Sequence, residues 1–178
     1  MEAVLASHRA GGALSPRSRR LLSDLSGMQE LADESIEFRA EGSPPEVYHL
    51  MFSVPGLELT GGRLQTRHLH RCDVYLHLDY PRRPPVITWL TPIFHPNILG
   101  PERNGGVCLG RWSAAESLAD LSRRLCDLIA YRSANPADAL NTQAAEWMRA
   151  NDVAPGADVQ ELAQLTIEDA VAVSLVRS

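Results

Sequence analysis

The chain has 178 residues, 44% hydrophobic and 22% charged, a globular composition and not a disordered one. A chain of this length buries about two-thirds of its extended surface, enough for a core without disulfide or metal, and one domain plus an appendage is expected. Seventeen basic against twenty-two acidic residues leave a net charge of −5, which disfavours a general nucleic-acid binder, and no apolar run is long enough for a membrane span.

Residues 1–14 are small and polar, with Gly11-Gly12, and read as a flexible N-terminal arm. Ser15 followed by Pro16 places a capping hydroxyl before a proline at the first helical position. Leu21, Leu22, Leu25, Met28 and Leu31 then recur at helical spacing, so an amphipathic helix is predicted to about residue 31, with Arg17, Arg19 and Arg20 on its outer face. Strands are predicted over 35–40, 47–54 and 66–79, separated by Glu41-Gly42-Ser43-Pro44 and Gly61-Gly62. Short turns between consecutive strands argue an antiparallel meander. A fourth strand over 86–90 follows a proline cluster. Residues 91–115 show no periodicity, and so long a loop in a compact domain is more often functional than not. Helices are predicted over 116–131 and, after Asn135-Pro136, over 137–151. A last segment over 159–176 reads as a helix docking on the body. The class is α+β.

The three cysteines form no CxxC pair and no zinc-spaced cluster, so neither metal nor disulfide is expected, and a reducing, cytoplasmic setting is. Cys72 lies in a strand and Cys126 at helical spacing among leucines; both read as buried apolar residues. Cys108 sits among Gly105, Gly106 and Gly110, where another backbone can approach closely. A thiolate there suits acyl transfer, because it takes over an acyl group and leaves it reactive toward amines. No basic residues crowd Cys108, so a strongly lowered thiol pKa is not expected. All seventeen basic residues are Arg, with no Lys. Two readings stand: a genome rich in G and C, or a chain that handles an amine-reactive group and offers no side-chain amine of its own.

Four segments in order carry a resemblance: Tyr80-Pro81-Arg82-Arg83-Pro84-Pro85, Ile93-Phe94-His95-Pro96-Asn97-Ile98, Gly106-Val107-Cys108-Leu109, and Asn135-Pro136-Ala137-Asp138 with Leu140. Together they resemble the ubiquitin-conjugating (E2) enzymes over residues 15 to about 150. The resemblance implies the ubiquitin-conjugating fold: an N-terminal helix, a four-stranded antiparallel meander, an active-site loop and C-terminal helices. It implies a catalytic domain over 15–151 and a C-terminal extension over 152–178. Implied partners are an E1-type activating enzyme, a ubiquitin-like modifier and a target protein. No cofactor is implied, since ATP is used by the activating enzyme. The sequence departs from the family pattern between Asn97 and Cys108, which are 11 positions apart. The extra residues, Gly100-Pro101-Glu102-Arg103-Asn104-Gly105, are expected to alter the groove walls, as is the short segment after Cys108.

By that resemblance Cys108 is the acyl carrier. Asn97 is a donor to the oxyanion or a turn residue bonding backbone. His95 and Pro96 support the loop. Asp138 orients the incoming lysine or caps a helix. Arg17, Arg19 and Arg20 contact the activating enzyme or form a solvated face. Trp112 walls the groove or packs. The lysine-free composition would spare a thioester carrier from modifying itself, and looks similar to bacterial conjugating enzymes of antiphage-defence operons. The alternatives are a non-catalytic module that binds a ubiquitin-like partner on the same fold, and a cysteine hydrolase with His95 as base.

Overall fold

The computed structural model describes residues 13–33 and 35–167. Helix α1 (Pro16–Leu31) begins where the Ser15 hydroxyl accepts the Ser18 amide at 3.0 Å, with Pro16 at a position whose N–H would be unpaired anyway. Six strands follow: β1 (Ile36–Gly42), β2 (Pro45–Phe52), β3 (Gly56–Thr60), β4 (Arg63–Arg67), β5 (His70–Tyr75) and β6 (Val86–Trp89). Four of them form an antiparallel sheet in the order β1-β2-β5-β6. Alternation decides its faces. Tyr48, Leu50, Phe52, Cys72 and Val74 point inward and are buried, while Glu37, Arg39, His49, Arg71 and Asp73 line a shallow hollow on the opposite face.

The remaining two strands correct the predicted strand over 66–79, which the structure splits. Thr66 and Arg67 end β4, which pairs with β3 in a separate hairpin. Gly61 and Gly62 close that hairpin at φ +57° and +77°, the two-residue turn that matches strand twist and that glycine accepts without strain. At its other end, β5 stops at Tyr75 because the carbonyls of Leu76 and His77 turn to the Arg17 guanidinium, at 2.7 and 2.8 Å. Leu78, inside the predicted strand over 66–79, is 79% exposed.

Helix α2 (Leu118–Ile129) opens with a reciprocal capping box between Ser117 and Asp120. Just past its end Tyr131 sits in the left-handed region at φ +58°, and its hydroxyl donates to the Phe94 carbonyl. Helix α3 (Thr142–Ala150) begins later than the predicted residue 137. Its cap is Asn141, and the intervening Pro136–Asp138 is a 3₁₀ turn capped by Asn135. A short helix α4 (Val159–Leu162) follows. The arm expected at residues 1–14 lies outside the described residues except for Ala13 and Leu14, as does the predicted 159–176 helix beyond Ile167.

Two cores hold these elements. The first packs α1 and α2 on the sheet, with Leu21, Met28, Phe52, Trp89, Leu121 and Leu125 fully or almost fully buried. The second gathers Leu57 and Leu64 of the hairpin with Phe94, Tyr131, Trp147 and Met148, and takes in Val159 and Leu162 from the chain beyond Asn151. The irregular loop after β6 is anchored in both. Ile93 and Ile98 enter the first core and Phe94 the second, so the segment leading to Cys108 stands on two buried platforms.

Candidate functional site

The loop is shaped by side chains more than by regular structure. The buried His95 accepts the Asn97 amide at Nδ1, 3.0 Å away, and its ring meets Tyr131 edge-on at 4.8 Å between centroids. Burial pushes the His95 pKa down to about 3, so the ring is neutral. The Pro96 carbonyl accepts the amides of Leu140 and Asn141 at 2.8 and 2.9 Å, which ties the start of α3 to the loop.

Asn97 is almost wholly buried, and every hydrogen-bonding group of its side chain is used. Nδ2 donates to the carbonyls of Asn135 and Asp138 at 2.9 and 2.8 Å, and Oδ1 accepts the Asn135 amide at 2.7 Å. An amide nitrogen has two protons, and both are spent here. Of the two readings of Asn97, the bonds match the residue that holds backbone: the side chain clamps the turn that carries Asp138. Its own carbonyl accepts the Cys108 amide at 2.8 Å, so Asn97 fixes both the thiol-bearing and the acid-bearing strands of the site.

Cys108 lines a groove of about 210 Å³ with Gly110, Arg124, Ser133, Asn135 and Asp138. Its thiol is partly exposed and donates to Asp138 Oδ2 at 3.4 Å. Partial burial, and then the Asp138 carboxylate, push the thiol pKa up, against a lowering contribution from the Gly110 backbone. Asp138 caps no helix, since Asn135 and Asn141 do that work. The other two cysteines are buried, and desolvation raises both thiols, Cys126 to about 11. Larger hollows, 340 Å³ on the sheet face and 780 Å³ beside the hairpin, present no exposed thiol.

The inserted residues do not wall this groove, contrary to expectation. They form a tight excursion in which Asn104 and Gly105 both adopt left-handed φ, +68° and +66°. A Cβ at Gly105 would lie 2.4 Å from the Trp89 carbonyl oxygen. The gap lets Gly105 accept the Trp89 amide at 2.8 Å, so the insertion docks on the edge of β6. Trp112 also packs outside the groove. Its ring lies tilted against Tyr80, 6.0 Å between centroids, and its Nε1 donates to the Pro81 carbonyl at 2.8 Å, pinning the proline cluster.

The arginine face on α1 is divided: Arg19 is exposed, while Arg17 and Arg20 are partly buried. Arg17 is spent on Glu46 and on the carbonyls after β5. Arg20 reaches Asp24, the Tyr80 hydroxyl and the carbonyls of Ala114 and Glu116. Buried Asp24 also accepts the Leu118 amide at 2.9 Å, stapling α1 to the start of α2. Of the three arginines, Arg19 alone is exposed. Sequence reasoning missed Arg124, which donates to the Arg111 carbonyl at 3.0 Å and stands 3.0 Å from Glu116, holding the segment after Cys108. A polar residue among Leu121, Leu125 and Leu128 was its one signal.

A thiol-bearing loop between a four-stranded antiparallel sheet and C-terminal helices defines the class. Residues 21–162 match the family model of the ubiquitin-conjugating enzymes, and the chain belongs to that family. Membership brings a ubiquitin-like modifier and an activating enzyme as general partner classes. Among the described residues no helix is long and apolar enough to cross a membrane.

Proposed function

We propose that the protein is a conjugating enzyme that carries a ubiquitin-like modifier as a thioester on Cys108 and passes it to an amine of a target protein. The observation that carries this reading is the partly exposed Cys108 thiol in a groove, 3.4 Å from the Asp138 carboxylate. In the first step the Cys108 thiolate attacks the carbonyl carbon of the modifier's thioester on the activating enzyme. A new C–S bond forms, the old one breaks, and the donor sulfur leaves and takes up a proton. In the second step the acceptor amine attacks that carbon, the C–N bond forms, and Cys108 leaves as thiolate. The amine's proton passes to Asp138 or to water.

The raised thiol pKa suits a carrier that exchanges with activated esters and spares bystanders. Asn97 acts here as a positioning residue, holding Asp138 against the thiol. His95 does not serve as the base of a hydrolase: its Nδ1 is engaged by Asn97 and its ring is sealed from solvent. The energy for transfer is stored in the thioester, so this chain needs no cofactor of its own. A cytoplasmic setting, and a bacterial defence operon as the source, accord with three free cysteines and a lysine-free chain. Neighbouring genes for an activating enzyme would support the operon.

The test incubates the full chain with activating enzyme, modifier and ATP and reads non-reducing gels. A thiol-sensitive adduct that Cys108→Ala abolishes is expected. No adduct with partners proven active on another carrier would overturn the reading and favour a non-catalytic binding module.

A further inference from the structure

The turn that carries Asp138 is held on either side along the chain by two guanidinium groups that make no ion pair among the described residues. Arg149, in the last turn of α3, donates to the Pro136 carbonyl. Arg103, from the loop inserted before Cys108, donates to the Leu140 carbonyl at 3.4 Å. These two carbonyls bracket the turn that holds the Asp138 carboxylate beside the Cys108 sulfur. All three side chains are exposed. Arg123, Arg124 and Arg132 are each paired with an acid, whereas Arg103 and Arg149 make no ion pair among the described residues and hold only backbone carbonyls.

Along this turn the anchored groups run guanidinium at Pro136, carboxylate at Asp138 and guanidinium at Leu140, with the carboxylate beside the reacting sulfur. The complement of this order is an ammonium flanked on both sides by carboxylates. We propose that the acceptor is a lysine in an acidic sequence context. Asp138 takes the amine, while Arg103 and Arg149 take carboxylates one or two residues to either side, as the guanidinium fork favours. The insertion between Asn97 and Cys108 gains a role on this account. It leaves the groove walls unchanged and delivers Arg103 to the acceptor side. The proposal rests on the transfer reaction above and names its substrate class.

The test bypasses the activating enzyme and the modifier. Cys108 is loaded by exchange with a small-molecule thioester of N-acetylglycylglycine, whose blocked amine cannot cyclise onto the ester, the acyl group moving to the Cys108 sulfur and the small thiol leaving. Because the chain has no Lys, a blocked peptide supplies the only lysine present. Discharge is timed with acetylated, amidated Gly-Glu-Lys-Glu-Gly, Gly-Ala-Lys-Ala-Gly and Gly-Arg-Lys-Arg-Gly. The glutamate peptide should react fastest and the arginine peptide slowest, by about two- to fivefold per flanking charge, with the spread shrinking in high salt. The doubly substituted Arg103→Glu, Arg149→Glu chain should reverse the order. Equal rates for all three peptides, or the same order in both chains, would overturn the proposal.

Should Cys108 accept no acyl group, the transfer reading fails, and recognition is read on the uncharged chain. Titration with the glutamate peptide should then shift the backbone amide resonances of Ala137 to Leu140, and the double variant should lose that shift. Equal shifts from the arginine peptide would sink the idea there too.

Discussion

The four-stranded sheet and the cysteine loop are built by different means. In the sheet, backbone ladders set the register from Ile36 opposite Phe52 to Tyr75 opposite Val86, and side chains mainly choose a face. In the loop, side chains place the backbone. Asn97 makes three bonds to the 135–138 turn, His95 takes the Asn97 amide, and Arg20 and Arg124 hold the carbonyls after Cys108. A ladder loses little when one exposed side chain changes, because its bonds do not pass through that side chain. A loop held by a few buried polar groups loses several bonds at once.

Acid should produce the largest effect, because it acts on groups that the folded chain keeps neutral. Burial lowers the pKa of His95 to about 3 and of His70 to about 4. A histidine depressed in the folded state contributes stability above its unfolded pKa of about 6.5, and that contribution is lost as pH falls toward the folded value. Between pH 6.5 and 4.5, before most carboxylates titrate, stability should fall by about 1.4 kcal/mol per pH unit for each histidine that titrates fully only when unfolded. Urea unfolding midpoints at half-unit steps would show this. His95→Asn keeps an acceptor for the Asn97 amide and removes the titration, so its slope should be shallower by one proton. An unchanged slope would assign the acid sensitivity elsewhere.

Asn97→Ala comes next and tests the contrast directly. It leaves one donor and two acceptors of the 135–138 turn without their partner in a part-buried place, a loss of about 2–4 kcal/mol. That corresponds to roughly 4–16 °C in melting temperature for a domain of this size. Glu37→Gln, on the exposed side of β1, should stay within about 0.5 kcal/mol. Equal losses at the two positions would remove the distinction between ladder and loop. If Asn97 serves as positioning residue, the variant's thioester should still form while discharge slows. Loss of charging alone would point to a different role.

The same contrast explains what the sequence made legible. Helix α1, the sheet strands and α2 announce themselves through spacing and caps, because regular structure repeats its physics every two or four residues. The β3–β4 hairpin was missed because Gly56 to Thr60 and Arg63 to Arg67 alternate weakly: Leu57 and Leu64 are buried in a core, and Leu59 packs on it only partly buried. The start of α3 was misplaced because Asn135 and Asn141 are both good caps, and only tertiary bonds from the Pro96 carbonyl select the second. Within the site, Cys108, Asn97 and Asp138 could be read from motif and order, and the structure brings all three together. The direction of the Asn97 amide could not be read, since its partners lie about forty positions away. The inward turn of Arg17 and Arg20 was equally hidden, because beside Glu46, Asp24 and the Tyr80 hydroxyl they reach distant backbone carbonyls, and every residue has one.

His49 offers the smallest effect and the opposite sign. On the open face of the sheet its Nδ1 lies 2.7 Å from Asp73 and its Nε2 3.2 Å from Glu41. The hydrogen bond to Asp73 is the main cause that raises its pKa. A histidine raised in the folded state contributes stability that is fully present below about pH 6.5 and is lost as pH rises through the folded value. Below pH 6.5 it is protonated in both states and adds no slope, so it does not interfere with the acid measurement on His95 and His70. The side chain is 38% exposed, and surface pairs of this kind contribute less than about 1 kcal/mol. Wild type should therefore lose a few tenths of a kcal/mol between about pH 6.5 and 8, and His49→Gln should be flat there and indifferent to added salt. A variant that keeps the alkaline slope would show that the sheet face, like the sheet's register, does not depend on this side chain.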